Sequence, residues 1–528
     1  MTTRASRFDP VSLEILWGRL VGIVDEAATG FVRTSFSSLV REANDYAVVL
    51  TDAKGQSLSQ SSFSIPSFIS TLPRTVRHMI RLFPVETLVP GDLLITNDPW
   101  MATGHIHDVS TVAPIFHGTR LIGFSAVTSH VPDIGGRLRS SDIPSIYEEG
   151  LQIPPLKLVE GGRRQASVEA FIRVNVRVPD ATMGDIWGQA AAHERIRAQL
   201  VKLVGETGVD LAELGEEICA RSERALRDAI AALPDGEYRY TIEHDAFAAP
   251  LTIACMVRVD GDSLVVDYTG TSPQVETRSI NVVETYTYAY TAFAVKALLS
   301  PHVPNTEGSF RPLAVVAPVG SVLNAQYPVG TGARGQIGHL LPAAVIGALG
   351  PVIGPRRRAE GSGNCVATLA GRDARGQFAV ANFVNAGQGA SGLRGGLSGI
   401  SFPSNLGNSP IEVLESEAPV RVRERSLRRG SGGAGLQHGG DGIRFAFDYV
   451  GESPATCSFL MARRVMPPAG AQGGHAGLPS RLTVNGEVRD PVSVKSLSRG
   501  DAVVLETAGG GGFGVVPAAG STEPPAGR

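Results

Sequence analysis

The chain is poor in the features that mark secreted, membrane-spanning or nucleic-acid-binding proteins. Only four of its 528 residues are cysteine: Cys219, Cys255, Cys365 and Cys457. None lies near another, which excludes a CxxC-type metal or redox motif and favours a reducing compartment. No run of about 18 apolar residues occurs, so no membrane span is expected. The opening MTTRASRFDPVS lacks the apolar stretch of a signal peptide, and a cytoplasmic location is expected. Neither charge dominates: 48 basic and 51 acidic residues leave a net charge of -3. That balance argues against nucleic acid and anionic membranes as partners. No GxSxG sits in strand–helix context, so a serine hydrolase is not expected. No Lys-Ser/Thr follows the glycines of ETAGGGGFG (506–514), so it is no P-loop, and a tight structural turn is expected there.

Glycine and proline are abundant, at 62 and 34 residues, so the chain turns often. A hydrophobic share of 43% and a charged share of 19% are those of a folded protein rather than a disordered one. The length exceeds one ordinary core. The expected class is mixed α/β and multi-lobed, with an α/β lobe over 1–235, a mixed α/β region over 236–360, a β-rich, Gly-rich region over 361–515 and a disordered tail over 516–528.

Apolar periodicity predicts a helix over 9–32, capped by Asp9 or Ser12, and another near 70–83. Further helices are predicted over 182–204, 209–232, 287–300 and 341–350. YAVVLTD (46–52), LLIT within GDLLITNDP, and RLIGFSAVTSHV (120–131) read as strands. Three more strands with a hairpin turn at Asp260-Gly261 follow residue 236. From about 362 onward, short strands between Gly-rich turns are expected.

The densest chemistry lies in NDPWMATGHIHD (97–108) and SHVPDIGG (129–136). His105, His107, His117 and His130 fall close together, with Asp98, Asp108 and Asp133 among them. Such a cluster at strand ends suits a mixed N/O site for Zn, Mn or Fe(II), or a polar loop whose histidines satisfy backbone groups. A helical backbone would put His105 and Asp108 on one face, and an extended one His105 and His107. Spacing alone does not choose. REAND (41–45) offers Glu42 and Asp45 to such a metal, or a solvated connection with one salt bridge. PVGTGARGQIG (328–338) and SGLRGGLSG (391–399) offer Arg334 and Arg394 as anion contacts, the first within a turn whose N–H groups could also bind an anion.

Several stretches together resemble the hydantoinase B/oxoprolinase family. They run in order from DPVSLEILWGRL, REANDYAVVLTDAKGQSLSQ, GDLLITNDPWMATGHIHDVSTVAPIF and SHVPDIGGR through GDIWGQAAAHERI, VDYTGTSPQV and SFPSNLGNSPIEVLE to GSGGAGLQHGGDGI and GDAVVLETAGGGGFG. The resemblance implies a B-type subunit that works with a hydantoinase A-type ATPase in a hetero-oligomer of A2B2 or larger. The partner would use ATP to phosphorylate a carbonyl oxygen of a small cyclic amide or ketone. This chain would bind no ATP and would complete hydrolysis of the amide. The alternatives are carboxylation of a ketone, or a non-catalytic assembly subunit with a structural metal. The family's metal pattern, H-x-x-D with a second histidine 22 residues on, falls on His105, Asp108 and His130, and its acidic residue before the first strand on Asp45. A divalent metal (Mn, Zn or Fe) is implied. Asp45 or Asp133 would orient or deprotonate its water. His107 stands where the family has a small or apolar residue, as a further ligand, a proton carrier or a bystander.

Overall fold

The structure, a computed structural model, describes residues 8–245 and 250–516. The tail read as disordered lies outside these residues except for its first position. The first helix, Pro10–Thr34, starts where Asp9 accepts hydrogen bonds from the Val11 and Ser12 amides, so Asp9 rather than Ser12 is the cap. The second begins earlier than predicted: Pro66 occupies its first turn, and it runs Pro66–Leu82.

Seven strands form the first sheet: β1 (Tyr46–Asp52), β2 (Ser57–Gln60), β3 (Leu93–Thr96), β4 (Asp108–His117), β5 (Arg120–His130), β6 (Leu156–Glu160) and β7 (Arg163–Arg164). Their order is β2-β1-β5-β4-β3-β6-β7, with every pairing antiparallel. The central strands are buried on both faces, so they read as apolar runs rather than alternating ones. Val112, Phe124 and Ala126 face a core shared with helices Pro66–Leu82, Glu284–Leu299 and Leu341–Leu349. Val48, Val127, Ile115 and Ile122 face helices Pro10–Thr34, Pro179–Thr207 and Leu211–Ala231. The second face also carries a buried polar weld. Thr111 donates to Gln189 at 2.7 Å, Gln189 donates to Ser129 at 2.9 Å, and His193 meets Ser125 at 2.7 Å. GDIWGQAAAHERI thereby fixes the β4–β5 hairpin from behind, which is a structural role.

A second sheet holds β8 (Gly236–His244), β9 (Leu251–Asp260), β10 (Ser263–Asp267) and β11 (Leu313–Val316), with only β10 and β11 parallel. Beyond residue 362 the strands are not uniformly short. Asn364–Asp373 and Gly376–Asn385 each run ten residues and pair throughout. Among the described residues no helix is long and apolar enough to cross a membrane. All four cysteines are buried and unpaired.

ETAGGGGFG is not a turn. Gly509–Gly512 run buried through the centre of other Gly-rich segments. The amides of Gly510, Gly511 and Gly512 donate to the carbonyls of Gly440, Glu360 and His475, and their own carbonyls accept from Gly433, Ala390 and Ala471. Gly509 and Gly512 donate to Leu478 and His475, so a three-residue step returns to the same neighbour. That is the hydrogen-bond pattern of a threefold extended chain such as polyproline II. A Cβ at Gly509, Gly510, Gly511 or Gly512 would lie 2.0, 2.1, 2.1 or 2.2 Å from a neighbouring carbonyl oxygen. Glycine is needed here for close backbone approach, not for a left-handed conformation.

Candidate metal centre

The register of the first sheet assembles the centre. Asp108 is the first residue of β4 and pairs directly with His130, the last of β5. On the other side of β5, Tyr46 pairs with Ser129, and the His130 amide donates to the Asp45 carbonyl at 3.1 Å. Asp45, His130 and Asp108 therefore stand in one row across three neighbouring strands, and directly opposed residues point to the same face. Sequence reasoning left Asp108 in a loop; its place on a strand is what sets the row.

His105 reaches this row from the loop before β4. Asn97 holds that loop: its side chain donates to the Ile106 and Leu151 carbonyls at 2.8 and 2.9 Å and accepts from the Ile153 amide at 2.6 Å. Gly104 has φ of 100°, and a Cβ there would come within 3.0 Å of the Arg334 side chain. The chain thus passes beneath Arg334 and returns His105 to Asp108.

His105, Asp108 and His130 form a group that could hold a metal ion, with one donor atom from each within 4.8 Å of the others. All three are at least 96% buried (4%, 1% and 4% exposed). His105 Nε2 lies 2.7 Å from Asp108 Oδ1, yet is misaligned for a hydrogen bond and has no other partner. A nitrogen and an oxygen so placed suit two donors to one ion. Nδ1 of His105 lies 3.4 Å from the Gly332 carbonyl, which orients the ring, and Asp108 Oδ2 accepts from Thr103 and Arg334, each at 2.8 Å. His130 Nδ1 is 2.9 Å from Asp108 Oδ1. Burial, and then the Arg334 cation, hold His105 well below the usual imidazole range, and burial also lowers His130. Both are neutral, as ligation requires. Burial works to raise Asp108, but His105, Arg334 and the hydrogen bonds outweigh it and keep the carboxylate ionised. The donor set fits a metal.

Asp45 is buried, with Oδ2 4.0 Å from His130 Nδ1. Burial and the nearby Asp108 charge raise its carboxyl to about 8. Glu42, by contrast, is partly exposed, and Arg41 beside it lies 3.8 Å from Glu417. His107 does not join the group of three. Its ring stacks on that of His130 at 5.7 Å and 7°, and its Nδ1 is buried without a partner. Asp133 does not line the cavity at His105, Asp108 and His130. Its oxygens are taken by the Arg177 guanidinium and the Arg177 and Gly135 amides. His117 is exposed at the far end of β4, and Asp98 caps the Trp100 amide.

The amides of the PVGTGARGQIG segment turn to a carboxyl group of the chain itself. The Thr331 and Gly332 amides both donate to Glu149 Oε1 at 2.6 Å. Arg334 is committed to Asp108 and lies over the Tyr286 ring at 4.2 Å. Arg394 is exposed and does not line the cavity. The cavity, about 70 Å³, is lined by the row and His105, by Arg139, Arg334, Tyr286, Tyr290 and His339, and by Phe68, Val366 and Phe383. Sequence reasoning missed Arg139, Glu149, Tyr286, Tyr290 and His339. Arg139 and Glu149 follow SHVPDIGG closely enough to have been suspected; the others lie far along the chain with no local signal.

Glu149 gives a pH prediction. It is fully buried, Oε2 has no partner, and burial raises its carboxyl from 4.5 to about 7 despite the two amides. The folded chain thus keeps this proton longer than the unfolded one. The neutral form's contribution to stability is full below about 4.5 and is lost as pH rises through about 7. Glu149→Gln removes this titration. Denaturant unfolding should show the variant gaining on the native protein between those pH values, by on the order of 3 kcal/mol. A constant difference across that window would refute the buried ionisation.

The profile of the Hydantoinase B/oxoprolinase family matches residues 9–516, and the chain belongs to that family. It is 29% identical to a protein of Pseudomonas sp. (strain NS671) named as the B component of a D-/L-hydantoinase, over 97% of this chain and 91% of that one. It is 26% identical to the 5-oxoprolinase of Saccharomyces cerevisiae, where it spans 42% of the longer protein. Among solved structures, the ATP-dependent caprolactamase from Pseudomonas jessenii superposes with a TM-score of 0.88 at 27% identity, over 97% of this chain and 93% of that one. A chain of acetone carboxylase also superposes with a TM-score of 0.88, at 19% identity over 96% of this chain and 76% of that one, which shows a shared fold.

Proposed function

We propose that this chain is the B-type subunit of an ATP-dependent cyclic amide hydrolase acting on a hydantoin, oxoproline or lactam. The observation that carries the reading is the buried His105–Asp108–His130 group facing a cavity with Asp45, in a chain that matches a caprolactamase along almost its whole length. An amide resists water because its nitrogen donates into the carbonyl. Phosphorylation of the carbonyl oxygen by an A-type ATPase partner removes that donation. Water then adds to the carbon, and the C–N bond breaks as the nitrogen takes a proton. The resulting acyl phosphate takes a second water and releases phosphate.

His105, Asp108 and His130 would hold Mn, Zn or Fe(II), leaving coordination positions open. Such an ion lowers the pKa of water toward neutrality. Asp45 lines the cavity 4.0 Å from His130 and is placed to take the water's proton, once the cation favours its ionised form, and to return one to the nitrogen. The apolar wall of Phe68, Val366 and Phe383 keeps bulk water from the labile intermediate. His107 is outside this scheme and steadies the His130 ring by stacking.

The test is turnover of hydantoin, 5-oxoproline and caprolactam by this chain, by an A-type partner and by their mixture. ATP-dependent ring opening is expected from the mixture only. Full ATP-dependent activity from this chain alone would remove the split-site reading, and bicarbonate-dependent consumption of a ketone would replace hydrolysis by carboxylation.

A further inference from the structure

Arg139 stands apart from the other cations at the cavity. Arg334 spends its charge on Asp108. Arg139 has no carboxylate within ion-pairing distance among the described residues. Its one polar contact there is Nη1 to His130 Nε2 at 3.2 Å, and its Nε is buried without a partner. When His130 ligates through Nδ1, its Nε2 carries the hydrogen and cannot accept from Arg139. The guanidinium is then left to the cavity with its donors unspent.

The charge balance points the same way. Two guanidiniums, Arg139 and Arg334, and two carboxyl groups, Asp45 and Asp108, line the cavity; with both carboxyl groups ionised their formal charges cancel, and a protonated Asp45 only adds to the positive excess. A divalent ion on the three ligands then leaves an excess of two positive charges in a site with little water to screen it. A small dianion with several acceptor oxygens answers both the excess and the free fork of Arg139, and a phosphate monoester has both properties.

We propose that Arg139 is the oxyanion-holding residue of this cavity and takes the phosphate group of the activated substrate. The source of that phosphate rests on the function proposed above; the anion site rests on the geometry of Arg139. The site would retain free phosphate after ring opening, so inorganic phosphate should inhibit turnover.

The test needs neither ATP nor partner. The purified chain is loaded with Mn²⁺, its metal content is measured, and binding of radiolabelled inorganic phosphate is followed by equilibrium dialysis with acetate as competitor. One phosphate per chain is expected. Arg139→Met should weaken it at least tenfold with metal content and melting temperature unchanged, and Arg139→Lys should recover part of the loss. The exposed neighbour Arg137→Met should bind as the native chain does. Native phosphate affinity in Arg139→Met would place the anion elsewhere. Acetate competing as well as phosphate, an arm that needs no variant, would overturn the phosphate class. Metal lost together with phosphate in Arg139→Met would reduce Arg139 to a support for His130. Failure of ring opening with the partner would sink the hydrolase reading and leave the phosphate result standing.

Discussion

Asp108→Asn is expected to purify folded and without bound metal, and its mixture with an A-type partner to open no ring. Asp108 contributes the one carboxylate oxygen that meets both histidines, at 2.7 Å to His105 and 2.9 Å to His130. Its second oxygen holds Thr103 and Arg334. Loss of an outer-shell partner alone typically costs 10–100-fold in metal affinity, so loss of this ligand should exceed about 100-fold. Asparagine keeps the shape and an acceptor for Thr103. Both substitutions remove the charge that pairs with the buried Arg334, but asparagine leaves it a neutral acceptor, whereas alanine leaves none, at a cost of about 3–5 kcal/mol. Elemental analysis of the folded variant is the measurement, with circular dichroism as its control. Full metal content in Asp108→Asn would remove the proposed ligand set and, with it, the mechanism.

Gly510→Ala should be strongly damaging for a change of a single methyl group. Its Cβ would lie 2.1 Å from the Gln388 carbonyl oxygen and 2.2 Å from the adjoining carbon, both backbone atoms that cannot rotate away. The segment on that side is itself hydrogen-bonded to Gly440 and Leu397, so relief at one contact breaks others. A loss above about 4 kcal/mol is expected, enough to leave little soluble folded protein. Gly18→Ala is the matched control. It lies inside the helix Pro10–Thr34 with nothing within 4 Å of the added carbon, and should stabilise by about 1 kcal/mol. Equal melting temperatures for the two variants would show that the glycine bundle tolerates separation.

The two variants also mark where the sequence was legible. Long amphipathic helices were readable because burial on one stripe leaves a period. The ends moved where caps and prolines overrode it, as at Pro66. The three proposed ligands were visible as residue types, and their spacing became specific only through the family resemblance. What stayed hidden was the reason for the spacing, because β4 hardly alternates: both of its faces are buried. Arg334 was noticed as a cation that could hold an anion, and nothing local shows that Asp108 lies against it. Glu149 and the 331–332 amides are a match across 182 residues, which no window can see. The glycine run looked like a turn because turns are the commonest use of glycine, while close approach of several chains leaves the same letters.

The Asp108–His130 pairing has a consequence for how the centre can vary among proteins built on this plan. Asp108 and His130 close the open end of a hairpin whose strands meet at His117 and Arg120, with one irregularity between Ile115 and Phe116. The distance of 22 residues between them is therefore the contour length of that hairpin. Inserting or deleting one residue on one arm would slide a serine or a valine opposite Asp108 unless the bulge absorbed it. Equal changes on both arms would leave the pair facing and only lengthen or shorten the distal tip. The tip is free to drift, in matched steps, while the Asp108–His130 end keeps its composition.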